Sequence, residues 1–295
     1  MKPAPFEYVA PTTLEEALAT MGAHGFGAKL LAGGQSLIPV MNFRLAQPAM
    51  LVDLNGVTEL GGLSAGEDGT LRVGAMVRQS ALEQSAEIAR HAPLVHETMP
   101  FVAHSQIRNR GTLGGSLAHA DPAAELPAIM VALEARFCLR RQGGERWVNA
   151  EAFYQSLFTT ALEPEEILVE VEVPPLPAHT GHAFFELARR HGDYAQAGVA
   201  AVVTLDGSGR CRRARLVYLN VGETPMVAEK AAAALVGEKI SDSLIGAVAE
   251  LASRQEIDPT DDIHATARYK RHLANVLGRR ALGRAHARAR ASLEA

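Results

Sequence analysis

The chain has 295 residues, of which 47% are hydrophobic and 21% are charged, and its formal net charge at neutral pH is −4. This composition is that of an ordinary soluble globular protein, and the length favours two domains over one. The slightly acidic balance argues against a nucleic-acid-binding surface, because such surfaces carry a clear basic excess.

The first part of the chain alternates predicted helices and strands. Residues 11–24 predict a helix, since Thr12 or Thr13 can cap it and a glutamate follows three residues later, as in a capping box. Two helical segments divided near Pro93 are predicted within residues 80–104, and one more around 124–134. A strand that begins at residue 28 and ends in glycines is expected. Further strands are expected at 50–54, 70–76, 135–141 and 166–174. The last strand alternates, which places on one face Ile167, Val169, Val171 and Val173.

Residues 174–181, PPLPAHTG, are the predicted linker, because three prolines in four positions exclude regular structure. Beyond it we expect three strands, two of them joined as a hairpin by DGSG, and then helices at about 226–236, 241–254 and 262–290. The last helix is strongly basic, and a solvated face with a frayed tail is favoured over a partner-docking site. The pattern predicts an α+β protein with domains at residues 1–176 and 180–290.

Cysteine usage and targeting signals limit the class of protein further. The two cysteines, Cys138 and Cys211, lie in apolar strand-like stretches, so buried free thiols are expected. Two cysteines cannot form a disulfide framework or an all-cysteine iron–sulfur site. No apolar run approaches the ~20 residues that span a membrane, and the N-terminus lacks the apolar core of a signal peptide. A cytoplasmic protein without a membrane span is expected.

Two glycine-rich segments carry the functional signal. They are LLAGGQSLIP at residues 30–39 and NRGTLGGSLAHADP at 109–122, and neither has the spacing of a dinucleotide fingerprint or a P-loop. Each places Gly-Gly beside small hydroxyl residues, and glycine lets backbone N–H groups converge on an anion. One such segment indicates only a turn. Two in one predicted domain favour a nucleotide cofactor held by its diphosphate.

The polar residues of the second segment leave other readings open. His119, Asp121 and Glu125 fit no common metal-ligand spacing, and Ser116 near His119 lacks a nucleophile-elbow pattern. Asp121 before Pro122 also predicts a helix start, with the proline at the first helical position and Glu125 in the first turn. We therefore assign no catalytic residue and no metal ligand to this chain.

Taken together, AGGQSLIP and RNRGTLGGSLAHADPAAELPA resemble the FAD-binding medium subunit of the molybdenum hydroxylases, which include the carbon monoxide dehydrogenase medium chain and the flavin domain of xanthine dehydrogenase. The likeness also covers KPAPFEYVAPTTLEEAL, PEEILVEVEVP and AFFELARRHGDYAQAGVA. It implies a vanillyl-alcohol-oxidase (PCMH)-type FAD-binding domain of two α+β subdomains in residues 1–176. A small α+β domain of the carbon monoxide dehydrogenase flavoprotein type would follow in residues 180–290, with a three-stranded antiparallel sheet and helices.

The resemblance also implies which residues hold FAD. Residues 32–37 would wrap the diphosphate with backbone N–H groups, and residues 112–116 would complete the cradle. Asp121 and Glu125 would contact the nucleotide side, and Tyr194 would lie beside the isoalloxazine ring. The full expected set is Leu31, Ala32, Gly33, Gly34, Gln35, Ser36, Leu37, Val102, Ala103, Ile107, Thr112, Gly114, Gly115, Ser116, Asp121, Ala124, Glu125, Ile167, Leu168 and Tyr194.

The resemblance further implies a division of labour among subunits. A large partner would hold the molybdenum cofactor, a small partner two [2Fe–2S] clusters, and the FAD of this chain would pass their electrons to an external acceptor. The implied assembly is a dimer of heterotrimers. A lysine near the flavin in some relatives is matched here by Phe185. The alternatives are a stand-alone FAD oxidoreductase without these partners and a scaffold subunit that keeps the fold without FAD.

Overall fold

A computed structural model describes residues 1–294 of the protein. The chain begins with a three-stranded parallel sheet in which β3 lies between β1 and β2. Parallel neighbours need crossover connections, and here α1 joins β1 to β2 and α2 joins β2 to β3. The elements are β1 (Glu7–Val9), α1 (Leu14–His24), β2 (Ala28–Leu31), α2 (Leu37–Asn42) and β3 (Met50–Asp53).

Helix α1 begins as its sequence predicts. The Thr13 side chain accepts a hydrogen bond from the Glu16 backbone N–H, and the Glu16 carboxylate accepts from the Thr13 backbone N–H. This capping box satisfies two of the N–H groups that a helix start leaves free. The buried stripe of α1 consists of Leu14, Ala17, Leu18 and Met21.

The second subdomain is an antiparallel five-stranded sheet in the order β4-β5-β10-β6-β7, with short helices and a hairpin packed around it. Its strands are β4 (Leu63–Ala65), β5 (Leu71–Gly74), β6 (Arg136–Arg141), β7 (Gly144–Asn149) and β10 (Ile167–Val173), and its hairpin is β8 (Tyr154–Ser156) with β9 (Thr159–Thr160). Its helices are α3 (Gln79–Gln84), α4 (Ala86–His91), α5 (Pro93–Thr98), α6 (Ser105–Arg108), α7 (Leu113–His119), α8 (Glu125–Ala132) and α9 (Ala150–Phe153).

Three details of this subdomain differ from the sequence expectation. The region predicted to hold two helices divided at Pro93 contains a further break at Ser85, whose side chain caps α4. Strands β4, β7, β8 and β9 were not predicted. In β10 a bulge at Val169 shifts the register against β6, so Ile167 and Val169 pack in one core and Val171 in another. The expectation that one face holds the whole alternating set is therefore wrong, because the inserted residue reverses the alternation.

The second domain follows residues 174–179, which contain no helix or strand, as the prolines predict. Its antiparallel sheet has the order β11-β12-β13-β14, so the expected three strands are present with a fourth of only two residues. One face packs on α8 of the first domain and the other on α12. The elements are β11 (Thr180–Ala188), β12 (Ala195–Leu205), β13 (Cys211–Leu219), β14 (Met226–Val227), α10 (Glu229–Ala233), α11 (Asp242–Gln255) and α12 (Ala267–Glu294).

The basic C-terminal helix α12 packs against the sheet of the second domain and is not frayed. It is helical throughout Ala267–Glu294 and buries an apolar stripe against the sheet. Arg288 donates to the His182 carbonyl oxygen at 2.6 Å and pairs with Glu97 of the first domain. The expected frayed tail is wrong, because these contacts hold the last turns in place. Within residues 1–294, no helix is both long and apolar enough to cross a bilayer.

Candidate functional site

The two glycine-rich segments lie in direct contact with each other. A Cβ atom on Gly33 would lie 2.7 Å from the Gly111 Cα and closer still to the Arg110 carbonyl oxygen. A Cβ atom on Gly115 would lie 3.3 Å from the Ala32 Cβ. Glycine at position 33 is therefore required for the close approach of two backbone segments.

The first segment presents a row of free backbone donors. Within residues 1–294, none of the five N–H groups of residues 33–37 donates to another protein group. Gly34 has a φ of +73°, a conformation that favours glycine, and the Ile38 N–H donates to its carbonyl oxygen at 3.1 Å. The strand thus turns sharply into α2 with successive N–H groups unpaired. This donor set fits a diphosphate.

The second segment is a capped helix rather than a loop. The N–H groups of its first residues already have protein acceptors: Leu113 donates to Val77 O at 3.0 Å and Gly114 to Ala75 O at 2.8 Å. Gly115 donates to the Thr112 side-chain oxygen at 3.1 Å, and Ser116 to the Thr112 carbonyl oxygen. The N–H groups of residues 113–116 therefore already have acceptors within the protein. Contact of Thr112, Gly114, Gly115 and Ser116 with the diphosphate stays a prediction.

Two side chains outside the expected set hold these segments together. The Asn55 amide donates to the Ala32 carbonyl oxygen at 3.0 Å and accepts from Arg78 at 2.5 Å. The same guanidinium donates to the Arg110 carbonyl oxygen at 2.5 Å. We call this arrangement the Asn55–Arg78 bracket. Asn55 follows the carboxyl end of β3, the parallel neighbour of β2, and this position was a usable signal. Arg78 offers no comparable signal in the sequence.

Asp53 holds the Asn55 end of the bracket by a hydrogen bond. Burial opposes ionisation of this carboxyl, but hydrogen bonds from the Tyr8 hydroxyl at 2.5 Å and the Asn55 N–H at 2.9 Å lower its pKa. Burial and the nearby Arg110 lower the pKa of Arg78. Two arginines, Arg78 and Arg110, thus lie with Asp53 beside the segments that carry the N–H row.

Replacing Arg78 with methionine is expected to weaken FAD binding about tenfold, since two charge-assisted hydrogen bonds at an exposed site are worth about 1.4 kcal/mol together. Titration of the deflavinated full-length chain with FAD measures the change in Kd. Arg72→Met is the matched control, because Arg72 pairs only with Glu170 and Glu172 on the sheet. Equal Kd values for the two variants contradict a role for the bracket.

The acidic residues expected on the nucleotide side lie together. Asp121 accepts from the Ala123 N–H at 2.9 Å in a turn, and α8 begins at Glu125, so the expected helix start at Pro122 is wrong. Burial raises the pKa of Glu125 to about 7, and repulsion from Asp121 adds a smaller contribution. Tyr194 is 62% exposed, and partial burial with repulsion from Asp121 and Glu125 raises its pKa. The turn, the helix start and the tyrosine therefore share one region.

Arg108 fixes the backbone at the expected contacts Val102 and Ala103. Its guanidinium donates to their carbonyl oxygens at 2.9 and 3.3 Å and pairs with Glu83 through two further hydrogen bonds. A Cβ on Gly192 would lie 2.7 Å from the Ala103 carbonyl oxygen. The loop that carries Tyr194 therefore contacts this turn, close to the half-buried Ile107.

The remaining expected residues differ in access. Ile167 has no accessible surface and lies in the core beneath α1, so contact between Ile167 and a flavin is ruled out in this conformation. Leu168 is 4% exposed, and its role stays a prediction. Phe185 faces α12, where the Arg284 guanidinium lies 5.7 Å from its ring centroid. The His119 ring lies 5.3 Å from that of Phe158, and burial lowers its pKa.

Comparison with known proteins gives matches along the whole chain. Residues 4–176 match the family model of the FAD binding domain in molybdopterin dehydrogenase, and residues 182–285 match that of the CO dehydrogenase flavoprotein C-terminal domain. The chain is 42% identical to the 6-hydroxypseudooxynicotine dehydrogenase complex subunit alpha of Paenarthrobacter nicotinovorans, covering 100% of this chain and 99% of the relative. It is 40% identical to the carbon monoxide dehydrogenase medium chain of Afipia carboxidovorans, covering 98% and 100%.

Solved structures agree with these matches. A chain of carbon monoxide dehydrogenase from Hydrogenophaga pseudoflava superposes with a TM-score of 0.94 at 40% identity, covering 98% of this chain and 99% of that one. A chain of quinoline 2-oxidoreductase from Pseudomonas putida 86 gives a TM-score of 0.92 at 39% identity, covering 99% and 100%. The free donor row lies within the part of the chain that matches an FAD-binding domain.

Proposed function

Because the chain belongs to the family of FAD-binding medium subunits of the molybdenum hydroxylases, we propose that its FAD collects electrons from the [2Fe–2S] clusters of a small partner subunit and passes them to an external acceptor. The chain is an oxidoreductase subunit with an FAD-binding domain. The observation that carries the proposal is the row of five unpaired N–H groups at residues 33–37 within that domain.

The residues divide the task of holding FAD. Residues 33–37 bind the diphosphate through their backbone N–H groups, while the Asn55–Arg78 bracket keeps the segment in place. Asp121 accepts hydrogen bonds on the nucleotide side, and Tyr194 lies beside the ring system. Bound FAD supplies the electron-transfer chemistry, which these side chains lack. The protein contributes position, charge and exclusion of water.

The clusters and the molybdenum cofactor belong to other subunits in this proposal. Cys138 and Cys211 are both buried, and burial raises the pKa of each thiol to about 11, so neither is a ready ligand. The medium-chain names of relatives that match along their full length support large and small partners. We propose a large molybdenum subunit and a small [2Fe–2S] subunit, assembled as a dimer of heterotrimers.

Size-exclusion chromatography of the untagged native protein, with flavin absorbance recorded, tests the assembly. We expect the yellow chain to co-elute with one large and one small subunit at the mass of a dimer of heterotrimers. A yellow chain that elutes alone contradicts the assembly and favours the stand-alone FAD oxidoreductase. Co-elution of partners with a colourless chain favours the scaffold.

A further inference from the structure

A single residue of the second domain joins the two loops that carry Asp121 and Tyr194. Asn220 directly follows β13 and has a φ of +56°, a conformation that asparagine adopts more readily than most residues. Its side-chain amide donates to the Ala195 carbonyl oxygen at 2.5 Å, next to Tyr194. Its backbone N–H donates to the Pro122 carbonyl oxygen at 2.8 Å, next to Asp121. We call these two hydrogen bonds the Asn220 bridge.

A buried lysine supports the Asn220 side chain. Lys270 lies in the first turn of α12, and only 3% of its surface is exposed. Its Nζ atom donates to the Asn220 Oδ1 atom at 3.3 Å and pairs with Asp262 at 2.7 Å. Because a buried ammonium group requires its acceptors, the lysine keeps the amide oxygen of Asn220 turned toward it. The nitrogen end of the amide is thereby directed at Ala195.

The Pro122 end of the Asn220 bridge is continuous with the second glycine-rich segment. Helix α7 ends at His119, three residues before Pro122. Near the start of this helix lies Gly115, where a Cβ atom would lie 3.3 Å from the Ala32 Cβ. Ala32 directly precedes the free N–H row. The bridge therefore holds one end of a short helix whose other end contacts the segment that carries the donors.

The loop that carries Tyr194 is held at both ends. At one end the Asn220 amide holds Ala195, the first residue of β12. At the other end a Cβ atom on Gly192 would lie 2.7 Å from the Ala103 carbonyl oxygen, so this glycine lies directly against the first domain. Tyr194 itself is 62% exposed, and its position therefore depends chiefly on these two backbone contacts.

We propose that Asn220 is a positioning residue of the flavin site: through its hydrogen bond to Ala195 it sets the position of the Tyr194 ring against the isoalloxazine ring of FAD. This inference rests on the proposed function, in which Tyr194 lies beside the ring system. The free N–H row acts on the diphosphate of FAD, whereas Asn220 acts on the ring end of the same cofactor through the backbone of the second domain.

The Asn220→Gly variant tests this role. Glycine keeps the left-handed backbone and the N–H bond to Pro122, and it removes only the amide bond to Ala195. A tyrosine ring in contact with a flavin quenches its fluorescence by electron transfer. We therefore expect FAD bound to Asn220→Gly to fluoresce more strongly than FAD bound to the wild type. The Kd is expected to rise about fivefold, the effect of losing one aromatic contact.

His179→Gly is the matched control. His179 has a φ of +58° and precedes β11 at the end of the sheet opposite to Ala195, so the same substitution there leaves the Tyr194 loop untouched. We expect wild-type Kd and wild-type flavin fluorescence in this variant. A second variant, Asn220→Asp, keeps an acceptor for Lys270 but has no N–H group for Ala195, and it is expected to show the same increase in fluorescence as Asn220→Gly.

The Tyr194→Ala background separates positioning from a general loss of stability. If Asn220 acts through Tyr194, Asn220→Gly is expected to change the Kd of the Tyr194→Ala chain by less than about 1.5-fold and to leave its flavin fluorescence unchanged. Wild-type fluorescence in both Asn220 variants, or an equal increase with and without Tyr194, overturns the positioning role alone. A wild-type chain that binds no FAD overturns the proposed function and this role with it.

Discussion

The Gly33→Ala variant is expected to bind FAD about 30- to 100-fold more weakly than the wild-type chain. The new Cβ atom would lie 2.7 Å from the Gly111 Cα and within overlap of the Arg110 carbonyl oxygen. Both atoms belong to the backbone, so relief requires the first glycine segment to move away from the second. Overpacking of this kind costs about 2–3 kcal/mol, and here the cost falls on the conformation that aligns the N–H row.

Fluorescence titration of the deflavinated chain measures this effect, and Gly27→Ala is the matched control. Gly27 precedes the same strand, and a Cβ atom there would meet nothing within 4 Å. We therefore expect the control to bind FAD as the wild type does. Near-equal Kd values for Gly33→Ala and Gly27→Ala contradict the requirement for close approach of the two segments.

Replacing Arg108 with alanine is expected to lower the free energy of unfolding by about 3 kcal/mol. The change removes a bidentate pair with Glu83 and leaves the Val102 and Ala103 carbonyl oxygens without their donor. Arg108 is 8% exposed, and breaking a buried pair costs about 3–5 kcal/mol. The lower part of that range applies, because the Glu83 side chain keeps 27% of its surface exposed.

Urea unfolding of the FAD-free chain measures this loss. Arg254→Ala is the control, since Arg254 forms an exposed pair with Glu250 one helical turn away and its removal is expected to cost under about 0.5 kcal/mol. Arg108→Lys is expected to recover only part of the loss, because a lysine cannot make the two parallel hydrogen bonds. Unfolding of Arg108→Ala at the wild-type urea concentration contradicts the structural role.

Local signals predicted the parts of the fold that local chemistry determines. The capping box of α1 and the proline-rich linker are both present, as is the DGSG turn between β12 and β13. Each depends on residues within a few positions of one another. The bulge in β10 is not determined by its near neighbours in the sequence. It depends on pairing with β6, some thirty residues earlier, and the alternation of apolar residues is unbroken in the sequence.

The glycines of the second segment show where local sequence signals were misleading about the backbone. The Gly-Gly pair alone indicated a turn at Gly114 and Gly115, yet Thr112 caps a helix there. A Cβ on Gly114 would lie 2.5 Å from the Ala75 Cβ, so that glycine serves packing against the strand region. Only the folded chain reveals that neighbour.

Side chains that act between distant segments were the main omission. Arg78 connects Asn55 with Arg110, and Arg108 pairs with Glu83. Neither pair shares a motif or a periodic pattern. The resemblance matched Phe185 to a lysine near the flavin of some relatives. Strand alternation turns the Phe185 ring toward α12 and its neighbour Glu186 toward the first domain.

The central claim is that this chain carries the flavin of its enzyme complex, and the FAD content of the native protein tests it most directly. Acid release from a known amount of purified chain or complex, with the flavin identified by mass, gives the stoichiometry. We predict one FAD for each copy of this chain, held without covalent attachment. Purified chain and assembled complex that both lack FAD would contradict the account.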